Sequence, residues 1–189
     1  MTVRMNARQS EWPRAVINVI AGSLIFVASA KIRIPLGVVP VTLQTLAVQI
    51  VAWLFGPWQG AAAAALYAME GALGWPVFSG PTAGVTYLLG PTGGYILGFI
   101  PAVTAVGVLY AMIRRRGENA FAMILAGLSG WLVLTLFGWA QLALFMGTET
   151  AWSFGVTPFL AVEVVKSSAW TFLVKERGLL RAQWAKVFR

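Results

Sequence analysis

The sequence predicts an all-α integral membrane protein, a bundle of six transmembrane helices with both termini in the cytoplasm. Of its 189 residues, 59% are hydrophobic and only 11% are charged, less than half the charged fraction of about 25% in soluble domains. The charges are clustered and leave four long uncharged stretches, residues 16–30, 34–69, 71–113 and 119–148. The basic residues, in turn, are concentrated in three short segments.

The six helices follow from the lengths of the uncharged stretches and from the turn signals within them. A spanning helix needs about 20 apolar residues, so the two longest stretches each hold more than one helix. Pro35-Leu36-Gly37, Gly56-Pro57 and the Gly/Pro-rich residues 74–94 divide them. The predicted helices are Val16–Ile32, Thr42–Phe55, Trp58–Leu73, Gly93–Ile113, Ala120–Met146 and Pro158–Val174.

The basic residues predict the orientation. Of the 14 basic residues, 11 lie in an N-terminal arm (residues 1–14), in the link Arg114–Arg116 and in a C-terminal tail (residues 175–189). Six spans place all three segments on one side, which the positive-inside rule identifies as the cytoplasm. We therefore expect one transmembrane domain, residues 1–189, in a multi-pass protein of the bacterial plasma (inner) membrane. The net charge of +8 favours contact with anionic lipid, not with nucleic acid.

The composition excludes several kinds of chemistry. The chain has no Asp, His or Cys, so we expect no metal site, no cofactor and no thiol or histidine catalysis. A membrane hydrolase is a poor alternative because no Ser–Lys pair has a suitable spacing.

The N-terminal region also resembles a cleavable signal peptide, with Arg14, the apolar residues 16–27 and Ala28-Ser29-Ala30 in the expected order. We favour a first spanning helix, since cleavage would leave an odd number of spans.

Three charges fall within predicted spans, where each costs a few kcal/mol unless it is paired or hydrated. Glu163 and Lys166 are three residues apart, share a helix face and lie towards the outer end of the last helix. They form either a structural ion pair or a substrate site, and we favour the second. Glu70 lies near a helix C-terminus, where the helix dipole disfavours an acid, so we expect it to pair with Lys31, Arg33 or Lys166.

Small residues recur every four positions at Gly60, Ala64, Ala68 and Ala72, and again at Gly94 and Gly98. Such stripes allow helices to approach closely in lipid. They serve either internal packing or the docking of a partner subunit.

The Gly-rich segment Gly90-Pro91-Thr92-Gly93-Gly94-Tyr95 lacks the Lys-Ser/Thr of a phosphate-binding loop. We expect a compact turn there, whose backbone can approach a ligand closely.

Three linked motifs resemble the BioY family, the biotin-specific substrate-binding (S) components of energy-coupling factor (ECF) transporters. The motifs are Val39-Pro40-Val41-Thr42-Leu43-Gln44-Thr45, Pro76-Val77-Phe78-Ser79-Gly80, and residues 90–99. The resemblance runs from about Val16 to Lys175. It implies an S-component-like six-helix bundle and biotin capture from the outer side. It also implies ATP hydrolysis by separate ATPase subunits, joined through a transmembrane coupling subunit.

The resemblance also implies where the ligand binds. The loop between helices one and two covers the family's pocket, which gives a lid of Pro35, Leu36, Gly37, Val38, Val39 and Pro40. An acid–lysine pair on the last helix matches Glu163 and Lys166, although the family usually has Asp at the first position. The candidate ligand-binding residues are Glu163, Lys166, Gln44, Tyr87, Glu70 and Ser79. The residues do not decide whether Lys166 contacts the ureido oxygen or the carboxylate of biotin.

The expected function is therefore that of a non-enzymatic biotin-binding subunit of an importer. Two alternatives stay within transport: a solitary biotin importer without ATPase partners, and an S component for another vitamin. A membrane scaffold is a third alternative, which the small-residue stripe suggests. It leaves the charges at Glu163 and Lys166 unexplained.

Overall fold

The computed structural model describes residues 7–81, 83–117 and 119–187, and these residues are mostly helical. The elements in chain order are α1 (Ala7–Lys31), β1 (Arg33–Ile34), β2 (Val41–Thr42), α2 (Gln44–Ala72), α3 (Val85–Leu88), α4 (Gly93–Arg116), α5 (Ala120–Met146), α6 (Thr148–Gly155), a 3-10 turn (Thr157–Phe159) and α7 (Leu160–Val187). Among the described residues, three segments are long and apolar enough to cross a membrane by length and composition: Trp12–Lys31, Gly93–Arg116 and Ala120–Met146.

Helix α2 is a helical hairpin. The side chain of Gln44 donates a 2.9 Å hydrogen bond to the hydroxyl of Tyr67, 23 residues away. In a straight helix these residues would be about 35 Å apart. The chain reverses at Gly56, whose φ of 74° favours glycine, and Pro57 follows it. The first arm, residues 44–55, and the second arm, residues 57–72, are separate spanning segments, so the predicted six-helix bundle is confirmed.

The helix boundaries differ from the prediction mainly at the two ends of the chain. Helix α1 begins at Ala7, so residues 7–14 of the predicted arm continue the first span. Helix α7 extends to Val187, through most of the predicted tail. Residues 1–6 and 188–189 of the predicted arm and tail lie outside the described residues. The sequence did not predict α3, α6 or the short ladder in which Arg33 pairs with Thr42 and Ile34 with Val41.

Small residues bring the central helices into backbone contact. A methyl group added at Gly98 of α4 would lie 2.9 Å from the Cα atom of Leu134 on α5. On the second arm of α2, Gly60 packs against the side chain of Val103 of α4, and Ala64 and Ala68 are buried. The stripe therefore serves internal packing, and its interpretation as a docking face for a partner subunit is wrong.

Hydrogen bonds define the two ends of the bundle. The first arm of α2 runs parallel to α7, because Thr45 bonds Glu163 and Gln49 bonds Ser167 at 2.9 Å. Arg114 donates to the carbonyl of Trp53 at 2.8 Å, so the end of α4 lies beside the α2 reversal. This basic end of the bundle is the predicted cytoplasmic end. The β1–β2 hairpin, α3 and α6 occupy the opposite end.

We expect Gly98→Leu to lower the thermal unfolding midpoint in detergent by several degrees. The added side chain meets the backbone of Leu134, which cannot move aside without separating α4 from α5, and overpacking typically costs about 1–3 kcal/mol. Leu97→Val is the matched control, because Leu97 lies on the same helix and is 42% exposed. Equal midpoints for both variants would contradict the packing described here.

Candidate functional site

A cavity opens at the hairpin end of the bundle, between the two arms of α2 and helices α4, α5 and α7. It contains about 630 Å³ of space that protein atoms leave empty, counting its open mouth. Its walls are largely apolar and aromatic, with a few polar groups. The residues that line it include Val39, Pro40, Gln44, Thr45, Tyr67, Ser79, Tyr87, Thr92, Tyr95, Phe99, Trp131, Thr135, Phe159, Glu163 and Lys166.

The predicted charged pair lies in the wall of this cavity. The ammonium of Lys166 is 2.6 Å from Oε1 of Glu163, and the two side chains are 9% and 0% exposed. Thr45, on the first arm of α2, donates to the same Oε1 atom at 2.8 Å. Lys166 also donates to Oγ1 of Thr45 at 2.9 Å and to the carbonyl of Thr42 at 2.8 Å. This buried cluster joins α7 to α2 and to the base of the hairpin.

The two charged groups differ in their unused hydrogen-bonding capacity. An ammonium has three donors, and the three contacts of Lys166 account for all of them. The second carboxylate oxygen of Glu163, Oε2, is buried and has no hydrogen-bond partner among the described residues. A buried acceptor without a partner costs about 1–3 kcal/mol or more. The cluster therefore contains one acceptor whose hydrogen-bonding capacity no described residue satisfies.

Other predicted residues line the same cavity. Gln44 is 6% exposed and donates its amide to Tyr67, so both are held in place. Tyr87 stacks on Phe78, with ring centroids 4.8 Å apart, and its hydroxyl lies 3.4 Å from that of Ser79. Tyr87 therefore presents both an apolar ring and a polar edge to the cavity.

The predicted lid residues lie in the β1–β2 hairpin, and two of the six line the cavity. Val39 and Pro40 line the cavity. Val39 packs into an apolar cluster with Trp131, Leu142, Val156 and Phe159, whereas Leu36 and Val38 are 46% and 41% exposed. The loop therefore has an inner side docked on the bundle and an outer side that faces away from it.

The Gly-rich segment lies beside the cavity, but its glycines do not face it. Of the six residues from Gly90 to Tyr95, only Thr92 and Tyr95 line the cavity. A methyl group at Gly93 or Gly94 would collide with the backbone of Leu88 or Phe137. These glycines therefore allow close packing of protein against protein. Neither Gly93 nor Gly94 is among the residues that line the cavity.

Glu70 does not line the cavity, and its predicted cationic partner is wrong. Its carboxylate accepts a 2.6 Å hydrogen bond from the hydroxyl of Ser23 on α1, and no Lys or Arg of the described residues lies within 4.0 Å of it. Lys31 instead donates to the carbonyl oxygens of Pro76 and Phe78, at 2.5 and 2.9 Å. Lys31 therefore ties the end of α1 to the loop after α2.

Several lining residues were not predicted from the sequence. Thr45 belongs to the first motif, and its position one residue after Gln44 was the available signal. Trp131 lies inside a predicted span, and nothing in the sequence distinguished it from Trp53, Trp139 and Trp170. Thr135 lies in an uncharged apolar helix and gave no signal at all. That Trp131 and Thr135 line the cavity follows only from the packing of α5 against its neighbours.

Comparisons with known proteins agree with this architecture. The sequence profile of the BioY family matches residues 1–182. A probable biotin transporter BioY of Pyrococcus horikoshii is 38% identical over 148 residues, covering 78% of this chain and 85% of the relative. The biotin transporter BioY of Thermotoga maritima is 36% identical over 144 residues, covering 75% and 82%.

A solved structure shares the fold. It is the crystal structure of the S-component for biotin from an ECF-type ABC transporter, which aligns with a TM-score of 0.77 at 21% identity and covers 91% of this chain and 93% of the solved one. The bundle, the covered cavity and the charged pair in its wall thus occur on a chain whose relatives share most of its length. On this evidence, the chain belongs to the BioY family.

Proposed function

We propose that this chain is the membrane-embedded biotin-binding subunit of a biotin importer. The observation that carries the proposal is the buried Oε2 atom of Glu163, an acceptor without a partner in the wall of a mostly apolar cavity. The relatives' names support biotin over another vitamin. The chain acts as a multi-pass transport component of the plasma membrane, not as an enzyme.

The polar head of biotin is complementary to the charged cluster. Its ureido ring carries two N–H donors and one strong acceptor oxygen. Glu163 Oε2 accepts from one ureido N–H, a charge-assisted hydrogen bond in a dry site. Lys166 neutralises the carboxylate and positions it, because its three donors are already bound to Glu163, Thr45 and Thr42. The paired charges sum to zero, which suits an uncharged urea group.

The remainder of biotin is apolar apart from its carboxylate. The fused thiophane ring and the aliphatic chain need an apolar wall, and Phe99, Trp131 and Phe159 line the cavity together with Tyr87. Aromatic walls give a large contact area at low conformational cost. The carboxylate then points towards the open mouth, where water hydrates it.

Energy for uptake comes from partners in this proposal. The chain contains no Gly-rich loop ending in Lys-Ser/Thr, and its solved structural relative is an S-component of an ECF-type ABC transporter. ATPase subunits and a transmembrane coupling subunit therefore drive the transport step. A solitary proton-driven importer is the alternative. It would have to use Glu70 or Glu163, since the chain has no Asp or His.

The β1–β2 hairpin acts as the lid of the binding site. Its inner residue Val39 and its neighbour Pro40 touch the cavity, and Lys166 holds the carbonyl of Thr42 at the hairpin base. Ligand bound to Glu163 lies directly beneath this hairpin. Binding therefore adds contacts to its inner side and slows its opening.

We expect Glu163→Gln to weaken biotin binding at least a hundredfold. The amide removes a charged acceptor and strands the ammonium of Lys166, and breaking a buried pair typically costs about 3–5 kcal/mol. Isothermal titration calorimetry in detergent measures the affinity, and size-exclusion chromatography checks folding. Glu149→Gln on α6 is the matched control, because Glu149 is exposed and lies outside the cavity. Near wild-type affinity for both Glu163→Gln and Lys166→Ala would refute this site.

We expect spin labels at Leu36 and Val38 to lose mobility when biotin is added. Both side chains are on the exposed side of the hairpin, so a label there reports its motion without entering the cavity. Electron paramagnetic resonance line shapes measure the change. A label at Leu73, which is 73% exposed at the same end of the bundle, should not respond. Unchanged spectra at Leu36 and Val38 with saturating biotin would mean that the hairpin is not a lid.

In liposomes that contain only this chain, we expect at most slow equilibration of biotin. Adding the ATPase and coupling subunits should give ATP-dependent accumulation, measured with radiolabelled biotin. The physical reason is that accumulation against a gradient needs an energy input, and no motif of this chain couples to ATP. Accumulation by the chain alone, abolished by an uncoupler and by Glu70→Gln or Glu163→Gln, would favour the solitary proton-driven importer.

A further inference from the structure

Two buried polar side-chain atoms of the cavity wall lack a hydrogen-bond partner among the described residues. One is Oε2 of Glu163 on α7, and the other is Oγ1 of Thr135 on α5. Thr135 is 6% exposed and Glu163 is fully buried. Buried polar atoms in proteins are almost always paired. Two exceptions that line one cavity therefore indicate groups that pair with a ligand.

Thr135 and Thr171 are the two helical threonines whose hydroxyls are buried and unpaired among the described residues, and of these only Thr135 lines the cavity. Serine and threonine within helices commonly bond the backbone carbonyl three or four residues earlier. In this chain Thr104 bonds Ile100 at 2.9 Å, Ser129 bonds Ala126 at 2.7 Å, and Ser29 bonds Phe26 at 2.8 Å. Thr135 makes no such bond. Its hydroxyl is therefore available to a group inside the cavity.

The two residues lie at different heights in the wall of the same cavity. Gly127 of α5 faces Ser167 of α7, since a methyl group added at Gly127 would lie 2.8 Å from the Ser167 hydroxyl oxygen. The two helices are consecutive antiparallel spans. At about 1.5 Å per residue, Thr135 lies about 12 Å and Glu163 about 6 Å from that level, both towards the hairpin end. Glu163 is therefore the deeper of the two residues, and both line the cavity.

We propose that Thr135 is a second ligand-binding residue, which donates its hydroxyl proton to the ureido oxygen of biotin while Glu163 accepts from a ureido N–H. This inference rests on the proposed function and adds to it. A carboxylate takes only donors, so the N–H group is directed to α7. The hydroxyl supplies the donor that the carbonyl oxygen needs. The urea thus bridges α5 and α7 and selects for a cyclic urea against ring systems that lack the oxygen.

The test is the pair of variants Thr135→Val and Thr135→Ser. Valine keeps the shape of threonine and removes the hydroxyl, so we expect about tenfold weaker biotin binding by calorimetry. Serine keeps the hydroxyl and should stay within about threefold of the wild type. Thr104→Val is the matched control, because the Thr104 hydroxyl is bound to its own helix, and biotin affinity should not change. Thermal unfolding checks that each variant is folded. We expect the midpoint of Thr135→Val to equal that of the wild type, because removing an unpaired buried hydroxyl does not destabilise a protein.

A ligand variant identifies the atom that Thr135 contacts. The thiourea analogue of biotin replaces the ureido oxygen with sulfur, a much weaker acceptor. The wild type should prefer biotin to this analogue, and Thr135→Val should lose about tenfold of that preference. An unchanged preference would overturn the proposal even if Thr135→Val weakened binding, because the loss would then be structural.

The outcomes separate this inference from the proposed function. If the wild type binds biotin and Thr135→Val binds it equally well, the role of Thr135 is refuted while the proposed function stands. If the wild type does not bind biotin, both are refuted. Weaker binding by Thr135→Val together with a reduced preference for the urea oxygen supports both.

Discussion

Two opposite charges on one face of α7 have to satisfy each other inside hydrocarbon, where an unpaired charge costs several kcal/mol. Glu163 and Lys166 do so at 2.6 Å, and the remaining donors of Lys166 reach Thr45 and the carbonyl of Thr42. The pair therefore links α7, the first arm of α2 and the base of the hairpin. A ligand bound to the free oxygen of Glu163 would lie where these three elements meet. Ligand binding would therefore act directly on the residues that hold the base of the hairpin.

The walls of the site and its cover are built differently. Helices α4 and α5 touch through glycine backbones, and Gln141 fixes the loop before α4 by donating to the carbonyls of Leu88 and Gly90 at 2.8 and 2.6 Å. The hairpin has only two residue pairs in its ladder and few buried side chains. Segments with few buried contacts open at low free energy. The walls can thus stay in place while the cover moves.

A second group of buried polar residues lies between the cavity and the basic end of the bundle. Gln49 donates to Ser167 at 2.9 Å and accepts from the hydroxyl of Tyr110 at 3.3 Å, and Gly127 lets α5 press against both Gln49 and Ser167. Because this group is buried and largely paired, it seals the bundle between the cavity and the basic end. The described residues therefore offer an opening at the hairpin end.

The sequence by itself determined the six spans, the basic end of the bundle and the charged pair on α7, because each depends on local composition or on the 3.6-residue repeat of one helix. Through linked motifs it also predicted Gln44, Ser79, Tyr87, Val39 and Pro40 as parts of one site, and these residues line one cavity. Only the tertiary structure decided which acceptor is free, that Glu70 bonds Ser23 and not a cation, and that Thr135 and Trp131 face the cavity. Those facts depend on the rotation and height of helices far apart in the chain. The sequence of an apolar helix such as α5 indicates neither its rotation nor its height, because lipid and a neighbouring helix accept the same residues.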